Sequence, residues 1–173
     1  MKWLYSSTFI VLAMLVFGCS TSTIVSTKKS LPKLYEDVNS THEEKREVVI
    51  TLFGLNNYTD TPRAGMRASN IIEGILVAKG YTVINSVDDK VPSLEKARKI
   101  AKENGSKYFL YGGVTEWRYK TGIDGEPAVS LQCSLYKSKN GEVYWSATGS
   151  DSDWGNASIG TTAQDLLSEM MSD

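Results

Sequence analysis

Histidine and cysteine are nearly missing from this 173-residue chain, which has one of the first and two of the second. His42 lies in a polar, charged run, so no Ser-His-Asp, Cys-His or metal-binding set can be built around it. Cys133 cannot close an internal disulfide once Cys19 is otherwise committed. It sits in an alternating apolar series, which predicts a buried structural thiol and not a nucleophile. Charge of either sign is not in excess: 19 basic and 20 acidic residues leave a net of −1, which argues against nucleic acid as a partner. No apolar run reaches the roughly 20 residues of a membrane span. The phosphate-loop motifs G-x-x-x-x-G-K-[ST] and G-x-G-x-x-G are absent, so "GLNNYTDTPRAGMRASN" reads as a solvated loop entering a helix, with Arg63 and Arg67 near the helix start. The acids of the C-terminal part sit at turn tips, whereas a glycosidase needs two carboxyls held about 5–9 Å apart across a cleft. A hydrolase is therefore disfavoured, and the chain is expected to be neither an enzyme nor a holder of a metal or cofactor.

What is present begins at the N-terminus. Residues 1–18 have the layout of an export leader: Lys2, an apolar core from Phe9 to Phe17, and Gly18 before Cys19. "LVFGC" resembles the lipobox of bacterial lipoproteins, in which the cysteine is lipidated and becomes the new N-terminus. The resemblance implies that Cys19 carries several acyl chains. Each buried methylene contributes about 0.8 kcal/mol, so one chain holds only marginally while several hold firmly. An Asp after the cysteine often retains such proteins in the inner membrane. Ser20 stands there instead, which implies the periplasmic face of the outer membrane.

Without the leader the chain has 18 basic and 20 acidic residues. Residues 28–107 carry 14 basic and 11 acidic, while residues 108–173 carry 4 and 9, so the C-terminal part is an acidic unit. Residues 19–45 are rich in Ser, Thr and Lys and run into the charged stretch "THEEKRE", 41–47, the composition of a tether with little to bury. Within it, "LPKLYEDV" has apolar residues that dock either on a neighbour or on the domain itself. Residues 46–173 suit one compact domain.

"VVITLF", 48–53, reads as a central strand. Pro62 is expected to open a helix over 63–79, with Ala68, Ile71, Ile72, Ile75 and Leu76 as its apolar stripe and Gly80 as its stop. "YTVI", 81–84, is a short strand. Ser93 caps a second helix striped by Leu94, Ala97, Ile100 and Ala101, and Gly105 ends it. A long strand over 107–121, the "GIDGE" turn, an alternating strand and the "KNGE" turn follow, then "VYWSATG". In the alternating strand, Val129, Leu131, Cys133 and Leu135 oppose Ser130, Gln132 and Ser134. "TTAQDLLSEMM" closes as an amphipathic helix through Ala163, Leu166, Leu167 and Met170. The order β-α-β-α-β-β-β-α predicts an α/β (α+β) single domain, a mixed sheet with helices packed on it.

Trp117, Tyr119, Tyr144, Trp145 and Trp154 crowd the C-terminal part, interleaved with Asp124, Glu126, Asp151 and Asp153. Alternation puts Trp117 and Tyr119 on one face, and Tyr144 and Trp145 on opposite faces. Trp and Tyr join an apolar body to a polar tip, so the group suits contact with lipid headgroups or a partner.

The stretch "VVITLFGLNNYTDTPRAGMRASNIIEGILVAKGYTVI" resembles the opening of the periplasmic α/β domains of the PelC, CsgG and LpoB group of lipoproteins and of the TolB N-terminal domain. "YFLYGGVTEWRYKTGIDGEPAVSLQCSLYKSKNGEVYWSATGSDSDWG" is similar to PelC-type lipoproteins in particular, through "DGEPAV" and the Trp-Gly after the last strand. The resemblance covers roughly residues 48–170. It implies a homo-oligomeric ring at the outer membrane that assists export of a cationic exopolysaccharide alongside an outer-membrane porin. It also implies that Cys19 is the anchor and that Trp154, then Trp145, belong to an aromatic belt on the bilayer. Asp124, Glu126, Asp151 and Asp153 would then form an acidic face that guides the polymer. An LpoB-like activator of a peptidoglycan synthase is the alternative at the same location.

Overall fold

The computed structural model describes residues 22–27, 29–37, 45–120, 125–153 and 157–172. Nine strands form: β1 (Thr23–Ser26), β2 (Tyr35–Asp37), β3 (Lys45–Glu47), β4 (Val49–Phe53), β5 (Asn56–Asn57), β6 (Thr82–Ser86), β7 (Tyr108–Tyr119), β8 (Pro127–Lys137) and β9 (Val143–Ser152). The helices are α1 (Ala64–Ala78), α2 (Leu94–Glu103) and α3 (Ile159–Met170). A seven-stranded mixed sheet runs β1-β9-β8-β7-β4-β6, with β5 beside β7, and β2 and β3 pair separately. The expected α/β order is present, with β1, β2, β3 and β5 added.

The chemistry of the central strand sets the layers. β4 is parallel to both β6 and β7. The connections β4-α1-β6 and β6-α2-β7 step in opposite directions across the sheet, so crossovers of one hand place their helices on opposite faces. Ile50 and Leu52 join Ile72 and Leu76 of α1 in the larger cluster. Phe53 joins Ala97 and Ala101 of α2 and Phe109 in the smaller one. Buried on both sides, β4 reads as an unbroken apolar run, except for Thr51, whose hydroxyl donates to Ser106 Oγ at 2.7 Å. Helix α3 returns beside α1 and lays Leu166, Leu167 and Met170 on the antiparallel half. The opposite face of that half carries Ser130, Gln132, Ser134, Ser146 and Thr148, with Tyr136 packed on the cluster of α2.

The helix ends follow local chemistry. Ser93 and Ser158 cap α2 and α3 by accepting the Lys96 and Thr161 N–H groups. Gly80, at φ 91°, ends α1 with paired bonds, Tyr81 N to Leu76 O and Gly80 N to Val77 O, which needs the left-handed conformation. The start of α1 departs from expectation. The helix begins at Ala64 behind Arg63, which is itself left-handed at φ 59° with no side-chain cap, so Pro62 lies before the first turn. The start is held instead by Ser69, whose hydroxyl donates to Gly65 O and accepts from Leu55 N–H.

Two bulges alter the expected alternation. The β7–β8 register skips Thr115. Tyr108, Leu110 and Val114 face α1 and α3 before the skip, and odd-numbered Trp117 faces them after it. The β8–β9 register skips Tyr144, which turns back to Tyr108 with ring centroids 5.0 Å apart. Tyr144 and Trp145 therefore both pack on the larger cluster, in place of the opposite faces that simple alternation predicts.

Part of the expected tether is built into the fold. β1 pairs antiparallel with β9, Thr23 opposite Ser150 and Ser26 opposite Ala147. Leu31 is buried, and the Tyr81 hydroxyl donates to Pro32 O at 2.6 Å. "LPKLYEDV" thus docks, in its first part, on the domain itself.

Phe109 is fully buried, edge-on to Phe53 at 6.1 Å and stacked on Tyr136 at 5.2 Å. Phe109→Ala is expected to lower unfolding free energy by about 3–5 kcal/mol in a denaturant titration. A loss under about 1 kcal/mol would contradict the packing role given to α2.

Candidate functional site

The antiparallel half of the sheet has two ends, and the structure distributes the sequence-predicted residues between them. At one end, Tyr119 pairs with Pro127 and Ala128 with Ser152. At the other, Leu135 pairs with Trp145, about 20 Å away along β8. The aromatic residues that crowd the sequence are therefore not one cluster.

Trp117 is 2% exposed and Trp145 3% exposed. The bulge at Thr115 turns the first toward the helices, and odd-numbered β9 positions face the helices too. Both are core residues, which corrects their assignment to a contact surface. Tyr119 is half exposed, and its hydroxyl accepts the Ile159 N–H at 3.2 Å, the first amide of α3. It ties the last helix to the end of β7 while keeping a wet ring. Trp154 lies outside the described residues, as does Cys19.

The four acids do not assemble into one open face among the described residues. Asp124 lies outside them. Glu126 is part-buried and pairs with Lys120 Nζ at 3.4 Å, while its carbonyl accepts the Lys120 N–H at 2.6 Å. Asp151 is only 8% exposed, because it occupies a helix-facing position of β9. Its place on an acidic outer face is corrected accordingly. Asp153 is part-exposed and has no ion-pair partner among the described residues.

The entry of the chain bears on the same end. Ser22 precedes Thr23, which is level with Ser150, so the chain joins the sheet where β9 finishes. Two residues separate Cys19 from Ser22, a span of at most about 11 Å. A group attached at Cys19 is thus leashed close to the end that carries Tyr119, Glu126 and Asp153.

A groove of about 470 Å³ opens beside β7, between the 58–61 loop and the rim of the sheet. Sequence reasoning did not single it out. Tyr58 leads it, held by its N–H to Val114 O at 2.9 Å. Glu116 forms an ion pair with Arg118 at 2.8 Å and accepts from Ser130 Oγ at 3.4 Å. The Thr61 hydroxyl donates to Trp117 O and pins the loop to the strand. The one available signal was the glycine pair 112–113 inside a strand, which marks close approach. Among the described residues no group of three or more His, Cys, Asp or Glu could hold a metal, and no helix is long and apolar enough to cross a membrane.

No family sequence model matches the chain, and no curated protein matches it by sequence. Solved structures do. The PelC dodecamer from Paraburkholderia phytofirmans is 33% identical, with TM-score 0.69, over 87% of this chain and 94% of that one. A variant of that dodecamer in another crystal form is 32% identical, with TM-score 0.70, over 87% and 95%. The lipoprotein GNA1162 from Neisseria meningitidis is 23% identical, with TM-score 0.53, over 70% and 94%, and shares the fold.

Burial pushes the Cys133 thiol up to about 12, from an ordinary value near 9.0. The native state keeps a proton that the unfolded chain releases above pH 9, so stability is flat below pH 9 and falls from there to about pH 12. The expected slope approaches 1.4 kcal/mol per pH unit, and Cys133→Ala should flatten it in denaturant titrations across that range. Rapid labelling of Cys133 by a thiol reagent in the native protein at pH 8 would contradict its burial.

Proposed function

This chain belongs to the PelC family, and from that premise we propose that it is a lipid-anchored envelope protein that assists exopolysaccharide export without catalysing a reaction. It acts at the periplasmic face of the outer membrane, as a ring of identical copies alongside an export porin. The observation that carries this reading is the match to a PelC dodecamer over nearly the whole length of both chains. The leader and the Cys19 lipobox, followed by Ser20, support the location.

The leash gives the reading a mechanism. With at most about 14 Å between the acylated residue and β1, the sheet end holding Tyr119 and Asp153 is drawn against the headgroup layer. Trp154, which follows Asp153 in the sequence and lies outside the described residues, is the aromatic residue assigned to the membrane belt. Several acyl chains make attachment effectively permanent. A ring seated this way repeats one subunit's few surface carboxylates around its circumference. Weak attraction repeated many times guides a polycation without trapping it, and salt screens it over a Debye length of about 8 Å at physiological ionic strength. Asp153 and Asp124 are the acids assigned to that role, with Glu126 restrained by Lys120.

Detergent-extracted protein is expected to run as a large assembly of identical subunits. A monomer that co-purifies with a peptidoglycan synthase would favour the activator alternative. Cys19→Ser should leave the protein out of the membrane fraction and abolish export. Inserting a flexible Gly/Ser linker of about ten residues after Ser20 should preserve lipidation but reduce polymer secretion, because the sheet end is no longer held at the bilayer. Unchanged secretion would contradict the role of the short leash.

A further inference from the structure

Tyr58 is the most exposed large apolar side chain among the described residues, at 69%. It is nevertheless held in place. Its backbone is bonded to β7, and the Cδ2–Cε2 edge of its ring rests on Gly113, where a Cβ would stand 2.5 Å from Cε2. Any other residue at 113 would push the ring off the strand. The strand thus gives up a side chain to seat a ring that remains wet, although burying such a ring is ordinarily worth more to the fold than leaving it exposed.

The surroundings define what the ring could meet. Asp60, Glu116 and Arg118 line the same groove, together with Thr61 and Ser130. Asp60 is exposed and has no ion-pair partner among the described residues. Glu116 is shared between Arg118 and Ser130 and is held in place by both. An aromatic platform flanked by carboxylates and hydroxyls suits a pyranose ring, which has an apolar C–H face and a polar rim. The carboxylates give an ammonium substituent a charge-assisted bond that an acetamide cannot match.

We propose that this groove is a saccharide subsite, in which Tyr58 stacks on an amino-sugar ring and Asp60 and Glu116 take its ammonium and hydroxyl groups. Gly113 is a positioning residue that seats Tyr58. The inference rests on the export reading for the identity of the long polymer, and it places a contact on β7 level with the start of β1, three strands in from that edge. It also explains why the loop is pinned at both ends, by Tyr58 N–H to Val114 O and by the Thr61 hydroxyl to Trp117 O.

The test is calorimetric titration of the full lipidated protein in detergent with a glucosamine tetramer, and with its N-acetylated form for comparison. The wild type should prefer the free-amine form. Tyr58→Ala should weaken binding at least about tenfold, and Tyr58→Phe should stay within about threefold. Gly113→Ala should lower affinity as Tyr58→Ala does, while Asp60→Asn should erase the preference for the free amine. Binding by Tyr58→Ala equal to wild type would overturn the subsite and leave the export reading standing. Fragmentation of the assembly by Tyr58→Ala would also overturn it, by assigning the ring to contact between copies. Failure of the wild type to bind either tetramer would count against the subsite and against handling of a cationic polymer alike.

Discussion

The continuous hydrogen bonding of β7 to both halves of the sheet is the constraint on which the other parts depend. Its first residues are parallel to β4, its later ones carry β5, and its whole length is antiparallel to β8. A strand in those two roles cannot keep one alternation throughout. The bulge at Thr115 resolves the conflict by turning Trp117 into the helix-covered core, so that Glu116 and Arg118 reach the groove. Phe109 and Leu110, adjacent in sequence, anchor the two opposite cores. A change in β7 therefore reaches helix packing, groove and hairpin end together.

Much of this was legible because it is local. Ser93 before a 3.6-period stripe and Gly80 or Gly105 after one carry their own stop and start chemistry, and the helices end where those residues say. Alternation in "PAVSLQCSLYK" sorted Val129, Leu131, Cys133 and Leu135 from the serines without error. The illegible parts depend on register between distant segments. Thr115 and Tyr144 look like ordinary strand residues until their partners are known, so the facing of Trp117 and of Tyr144 could not be read in isolation. "TIVS" is four residues inside a polar run and becomes β1 only because β9 presents an edge. Tyr58 and Gly113 lie 55 positions apart, and neither is unusual until they meet. The carboxylates Asp151 and Glu126 were legible as residue types but not as environments, since burial in one and a lysine partner in the other arise from tertiary packing.

The start of β1 and the groove lie at the same end of the sheet, with Thr23, Ser150, Ser130 and Glu116 level across four strands. β1 makes residues 23–26 of the polar N-terminal segment the edge of the sheet, and on the proposed reading a lipid at Cys19 would draw that end of the sheet to the bilayer. The groove sits at the side of β7, on the face turned away from α1 and α3. The core beneath takes Trp117 and Trp145 into its packing. Function on this account rests on few residues at the periphery, held by a rigid sheet.

The central claim is that the chain is leashed at β1 and not tethered through residue 45. Hydrogen exchange of the membrane-anchored protein tests it most directly, read at residues 23–26. The account predicts protection of those amides well above the free-peptide rate, in step with the facing segment 147–150 of β9. Exchange of 23–26 at the rate of an unstructured peptide, with β9 still protected, would contradict it.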